Sequence, residues 1–183
     1  VSKSSKPSER VIVIGHSRGG GVATLAASNG HVDGVVLLAS VSDFARRFPS
    51  GDQLEEWRNT DRLEVLNGRT HQILSHSFSF FEDFTLNSES LNIERAVRSL
   101  EVPLLVVHGD CDIAVSDVEG KELASWASQG QFASIPDTGH TFGTSHPWKD
   151  KSLPPPALDA VNQILIFLND MSYGIQKGPL QKK

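Results

Sequence analysis

The stretch VIVIGHSRGGG, residues 11–21, constrains the fold more than any other part of the chain. Its four β-branched residues read as a short strand buried on both faces. Glycines then surround a single serine, and an alanine-rich segment ending in Asn29-Gly30 reads as a helix with its stop signal. A chain that passes from strand through a glycine-boxed serine into a helix must turn sharply. Such a turn pushes the serine side chain out past the strand end, where the first free N–H groups of the helix face any developing anion.

The rest of the chain repeats the strand and helix alternation. VDGVVLLAS (32–40), VPLLVVHG (102–109) and QFASIP (131–136) read as strands, and DVEGKELASWAS (117–128) as a helix between the last two. A final helix is expected in ALDAVNQILIFLND (157–170), with Leu158, Val161, Leu165 and Leu168 as its apolar stripe behind a proline-rich start. Alternation of this kind predicts an α/β fold with a parallel sheet and flanking helices. Residues 41–100 differ in character: they are charged, show helical spacing at QLEEW, carry Phe78, Phe80, Phe81 and Phe84, and offer no evident strand. They read as a small helical insertion. Residues 1–10 read as a polar loop and 172–183 as a loose tail.

Composition bounds the partners. With 183 residues, 38% of them apolar, the chain can bury one core, so a single domain is expected. A net charge of −5 gives no basic footprint for nucleic acid and no polybasic membrane patch. The longest apolar runs fall far short of the roughly 18 residues of a membrane span. The lone Cys111 forms no internal disulfide, which fits a cytoplasmic location. The chain begins at Val1 and its only methionine is Met171, so it reads as the C-terminal portion of a longer protein.

A serine hydroxyl needs a base to become a nucleophile, and the base needs a carboxylate to fix its tautomer. HGDCDIAVS places Asp110 and Asp112 in the loop leaving one strand, and DTGHTF places His140 in the loop leaving the next. His71, His76 and His146 match no metal-ligand spacing, and no metal or other cofactor is expected. Asp137 reads as a brace of the histidine loop and His108 as a strand-end residue.

At GHSRGG, VPLLVVHGDCDIAV and DTGHTFG the sequence resembles the α/β-hydrolase superfamily, most closely its serine esterase, dienelactone-hydrolase and prolyl-oligopeptidase-like branch. The resemblance runs from Val11 to about Leu168, and Ser116 stands where that family usually has proline. It implies Ser17 as nucleophile, Asp112 rather than Asp110 as acid, His140 as base and the Arg18 N–H as an oxyanion donor. The implied reaction is hydrolysis of a carboxylic ester, a small-molecule acyl substrate, through an acyl-enzyme. A serine peptidase or amidase, and a non-catalytic binding protein of the same fold, are the alternatives. The 41–100 insertion then corresponds to a cap that selects substrate, with His16, Phe81 and Trp148 as candidate pocket lining. Family members carry strands ahead of the serine turn that supply a second oxyanion N–H, and no such segment is evident here. The strand at 11–14 is therefore expected to lie at an exposed edge, where it invites self-association.

Overall fold

The computed structural model describes residues 10–67, 70 and 72–174. Four strands, β1 (Ile12–His16), β2 (Gly34–Leu38), β5 (Leu104–Gly109) and β6 (Gly130–Ile135), form one sheet in the order β1-β2-β5-β6. All neighbouring pairs are parallel, so the four C-terminal strand ends share one edge of the sheet.

Side-chain alternation in the two central strands builds two cores. Val35, Leu37, Leu104 and Val106 face α1 (Arg18–Asn29), α4 (Ile93–Arg98) and α5 (Asp117–Trp126), meeting Ala23, Ala27, Val97 and Leu123. Val36, Leu105 and Val107 face the other way, against Ala157, Ala160 and Phe167 of α6 (Pro155–Gly174). Every residue of β5 is buried, as expected for a continuous aliphatic run between two layers. The four strands of this sheet, with α1, α5 and α6, therefore fall where the apolar pattern places them.

Expectations for α6 and for the insertion fail. The stripe predicted to bury α6 is the wrong one: Leu158, Val161 and Leu165 are 49%, 36% and 57% exposed, while Ala157, Ala160 and Phe167 are buried. The helix is apolar on nearly all sides, so periodicity alone does not choose its face, and the two alanines let it lie close to the sheet. Of the predicted stripe, Leu168 packs on the core. The tail expected at 172–183 begins inside the helix, since residues 172–174 continue α6, and 175–183 lie outside the described residues. Residues 1–9 do so as well.

The second correction concerns the insertion between β2 and α4. A 3-10 turn (Ala45–Arg47), α2 (Asp52–Thr60) and α3 (Ser79–Leu86) supply helix, but β3 (Leu63–Leu66) and β4 (Ile73–His76) form an antiparallel hairpin where no strand was expected. Both strands carry exposed apolar residues, with Leu66 62% and Ile73 64% exposed, so they lack the buried alternation that advertises a strand. The insertion has its own aromatic centre: Trp57 is buried, its Nε1–H donates to the His76 carbonyl at 2.9 Å, and Phe78 and Phe81 pack on its ring. Phe48 closes the cluster against Phe81 and Phe84.

Candidate active site

The serine turn is strained as its sequence implies. Ser17 has φ 57° and ψ −129°, a conformation that side-chain-bearing residues rarely adopt. Three backbone hydrogen bonds hold it there: its N–H donates to Leu38 O at 2.9 Å, and its carbonyl accepts from Gly20 N at 2.9 Å and Val41 N at 3.3 Å. The glycines are not equivalent. A Cβ on Gly15 would stand 2.5 Å from Gly19 O and 2.7 Å from Gly20 Cα, and one on Gly20 would stand 2.1 Å from Ser40 Oγ, whereas Gly19 has open space. Gly15→Ala is expected to cost about 1–3 kcal/mol, and Gly19→Ala to gain roughly 0.5–1 kcal/mol from its helical position. Chemical denaturation of the two variants measures this, and equal stability changes would contradict it.

Three residues from three strand ends converge on one point. Ser17 follows β1, Asp112 follows β5, and His140 lies in the loop after β6. His140 Nε2 is 2.8 Å from Ser17 Oγ, and His140 Nδ1 is 2.8 Å from Asp112 Oδ2. An ionised Asp112 only accepts, so Nδ1 carries the proton and Nε2 is left as the acceptor for the serine hydroxyl. Burial pushes the Asp112 carboxyl up, but the N–H groups of Val115 and Ala114 and the His140 ring together hold it below the ordinary carboxylate range. Those N–H groups lie 3.0 and 2.9 Å from Oδ1. Asp110 has no such place, being exposed on the turn with its N–H bonded to Ile135 O.

The histidine loop sits close because Gly109 lets it. A Cβ there would lie 2.4 Å from Thr138 O, so any side chain would push the loop away from Asp112. Cys111 N–H donates to the same carbonyl at 3.0 Å. His16, exposed beside the serine, hydrogen-bonds through Nε2 to the His140 carbonyl at 2.9 Å, and the two rings stand 4.7 Å apart. As first residue of α1, Arg18 has a backbone N–H with no intrahelical acceptor, next to Ser17 Oγ. Its guanidinium lies 5.9 Å from the Phe80 ring centre, and burial, then the nearby Arg47, lowers its pKa.

Comparison with known proteins agrees with this architecture. No protein-family model matches the sequence, and no curated protein is similar. Solved structures do match. The esterase domain of a Rhodothermus marinus protein superposes with a TM-score of 0.52 at 25% identity, covering 71% of this chain and 52% of that one. Est1E from Butyrivibrio proteoclasticus gives a TM-score of 0.62 at 18% identity over 90% of this chain and 62% of its own. An alpha/beta hydrolase enzyme from the metagenome of Mar Chica lagoon sediments gives 0.52 at 17%, over 87% and 61%. The chain has the α/β-hydrolase fold.

On an α/β-hydrolase sheet the carboxyl ends of the strands are where ligands meet the fold, and Ser17, Asp112 and His140 all lie there. The chain spans 52–62% of the length of the three matched structures. Among the candidate lining residues, Phe81 packs on Phe48, Trp57 and Phe78, while Phe80 is the ring that meets the serine turn through Arg18. Trp148 is exposed in the loop ahead of α6. No group of three His, Cys, Asp or Glu residues suited to a metal occurs among the described residues; His71 lies outside them. No helix among the described residues is long and apolar enough to cross a membrane.

The sequence reading missed two features. His108 is not merely a strand end but is fully buried, with Nε2 3.3 Å from Asp112 Oδ2. Arg47, at the base of the insertion, pairs with the buried Glu119 of α5 and donates to Ala114 O at 2.9 Å, which ties the insertion to the loop that carries Asp112. Nothing local to either residue announces these partners, which are distant in sequence or reached only through the loop fold.

Proposed function

We propose that the chain carries the reacting groups of a serine hydrolase that cleaves carboxylic esters. The unbroken hydrogen-bond relay from Ser17 Oγ through His140 to Asp112 supports this best. Ser17 Oγ attacks the acyl carbonyl while its proton passes to His140 Nε2, and Asp112 steadies the imidazolium that forms. The Arg18 N–H donates to the oxyanion of the tetrahedral intermediate. Collapse expels the alcohol, which takes the proton from His140, and water then repeats the path to release the acid and restore Ser17. The described matches include a Rhodothermus marinus esterase domain, in keeping with an ester substrate. The insertion, whose Phe80 ring lies 5.9 Å from the guanidinium of Arg18 next to Ser17, is our candidate for selecting the acyl group.

A fluorophosphonate probe together with p-nitrophenyl esters tests the reading. Labelling is expected at Ser17; Asp112→Asn is expected to lower ester turnover severely and Asp110→Asn only mildly. Labelling that survives in Ser17→Ala, or the reverse order of the two aspartates, would sink the assignment.

The open side of β1 bears on association. Among the described residues β1 lies at the sheet edge, with Ile14 53% exposed and Val11, just ahead of the strand, 51% exposed, an apolar strand edge with no neighbouring strand there. The 183-residue chain is expected to self-associate through this edge. Light scattering should show Ile14→Lys shifting it toward monomer, and an unaltered chain already monomeric would refute the expectation.

A further inference from the structure

We infer that the Arg18 side chain reads a second carboxylate on the acyl group, which makes the preferred substrate a half-ester of a dicarboxylic acid; the inference rests on the hydrolase reading above. Arg18 follows Ser17 directly, and its backbone and side chain have separate parts to play. The N–H stands at the first position of α1, next to the serine. The guanidinium lies over the Phe80 ring, 5.9 Å from its centre. That ring is 41% exposed and is flanked by Phe48 at 5.5 Å and by His76 at 5.4 Å, the latter inclined to it by 24°. The guanidinium thus rests on an aromatic platform held by two neighbours. Insertion and nucleophile turn meet at this contact.

No carboxylate answers this charge. The acids of α5 are already committed, Glu119 to Arg47 and Glu122 to Arg46 at 2.8 Å. Asp43 turns its Oδ1 to the N–H of Ala45. Among the described residues Arg18 has no ion pair, and both influences on its pKa oppose the charge, burial first and the like charge of Arg47 second. A guanidinium does not escape by losing its proton. It therefore stands as an uncompensated cation, partly desolvated, beside the residue that attacks the ester. A carboxylate satisfies it, being planar, anionic and able to accept two parallel N–H bonds. Phe80 belongs to the insertion, our candidate for selecting the acyl group, so the carboxylate lies at the far end of the acyl chain rather than on the departing alcohol. The whole chain carries a net charge of −5, so a general attraction for anions does not produce this preference. It is local to Arg18.

Two esters of equal chain length separate recognition of charge from fit: mono-p-nitrophenyl adipate and p-nitrophenyl hexanoate. The ratio of their kcat/KM values within one variant cancels whatever a substitution does to the oxyanion N–H. The unaltered chain is expected to favour the adipate ester about tenfold, as one charge-assisted hydrogen-bonded pair provides. Arg18→Met should abolish the preference, chiefly through a higher KM for the adipate ester, since the contact is made in the ground state as in the transition state. Arg18→Lys should keep part of it, and Arg18→Glu should reverse it. An unaltered chain that does not favour the adipate ester, or a ratio that Arg18→Met leaves in place, overturns the inference. Fluorophosphonate labelling of the unaltered chain separates the two layers: a chain that labels at Ser17 but fails the ratio test overturns the inference alone. A chain that does not label overturns the hydrolase reading and the inference with it.

Discussion

Ser17→Ala and His140→Ala are each expected to lower ester turnover by about 10⁴- to 10⁶-fold, and the double variant little further. The two side chains act as one unit. With the proton acceptor gone, the hydroxyl at 2.8 Å has nowhere to send its proton, and with the hydroxyl gone the imidazole has nothing to activate. Steady-state kinetics of the three variants on one p-nitrophenyl ester measures this. Losses that multiply in the double variant would mean that Ser17 and His140 contribute independently, which is incompatible with the relay.

The largest effect on stability is expected from Glu119→Ala. Its carboxylate is 3% exposed, pairs with Arg47 and accepts from Ser42 N at 2.9 Å. Removing it leaves the Arg47 side chain, 21% exposed and with a buried Nε that already lacks a partner, beside an unpaired Ser42 N–H. Breaking one half of a buried pair costs about 3–5 kcal/mol, which for a chain of this size lowers the melting temperature by on the order of 10 °C. Arg46 and Glu122, joined at 2.8 Å but 43% and 29% exposed, make the internal control. Glu122→Ala should cost no more than about 1 kcal/mol. Thermal melts that fell equally in both variants would show that Glu119 does not anchor the insertion.

What the sequence discloses and what it hides follow from where each signal resides. The serine turn is legible because its requirements are local: a strained φ at Ser17 and two glycines whose missing Cβ atoms make room. Asp112 and His140 are legible because parallel strands deliver their following loops to one edge. The β3–β4 hairpin is different, since its strands are four residues each and face solvent, which leaves no buried alternation to read. The orientation of α6 depends on how close two alanines can come to the sheet. The burial of His108 against Val115 O depends on how the 110–115 loop folds back over β5, and no spacing rule encodes that.

The insertion also has a common doorway. A Cβ on Gly21 would stand 2.7 Å both from Phe44 Cζ and from Ile93 Cδ1, so the residue that leads into the insertion and the one that leads out converge on a single spot of α1. Chain that leaves and returns through one point can change length with little thermodynamic consequence, because closure entropy rises by only about 0.6 kcal/mol for each doubling. Residues 48–92, which leave the Arg47–Glu119 pair in place, can therefore be shortened, lengthened or exchanged without disturbing the register of β2 on β5. Such an arrangement makes the insertion a graft on a fixed base, free to vary in length while the strand ends that hold Ser17, Asp112 and His140 keep their places.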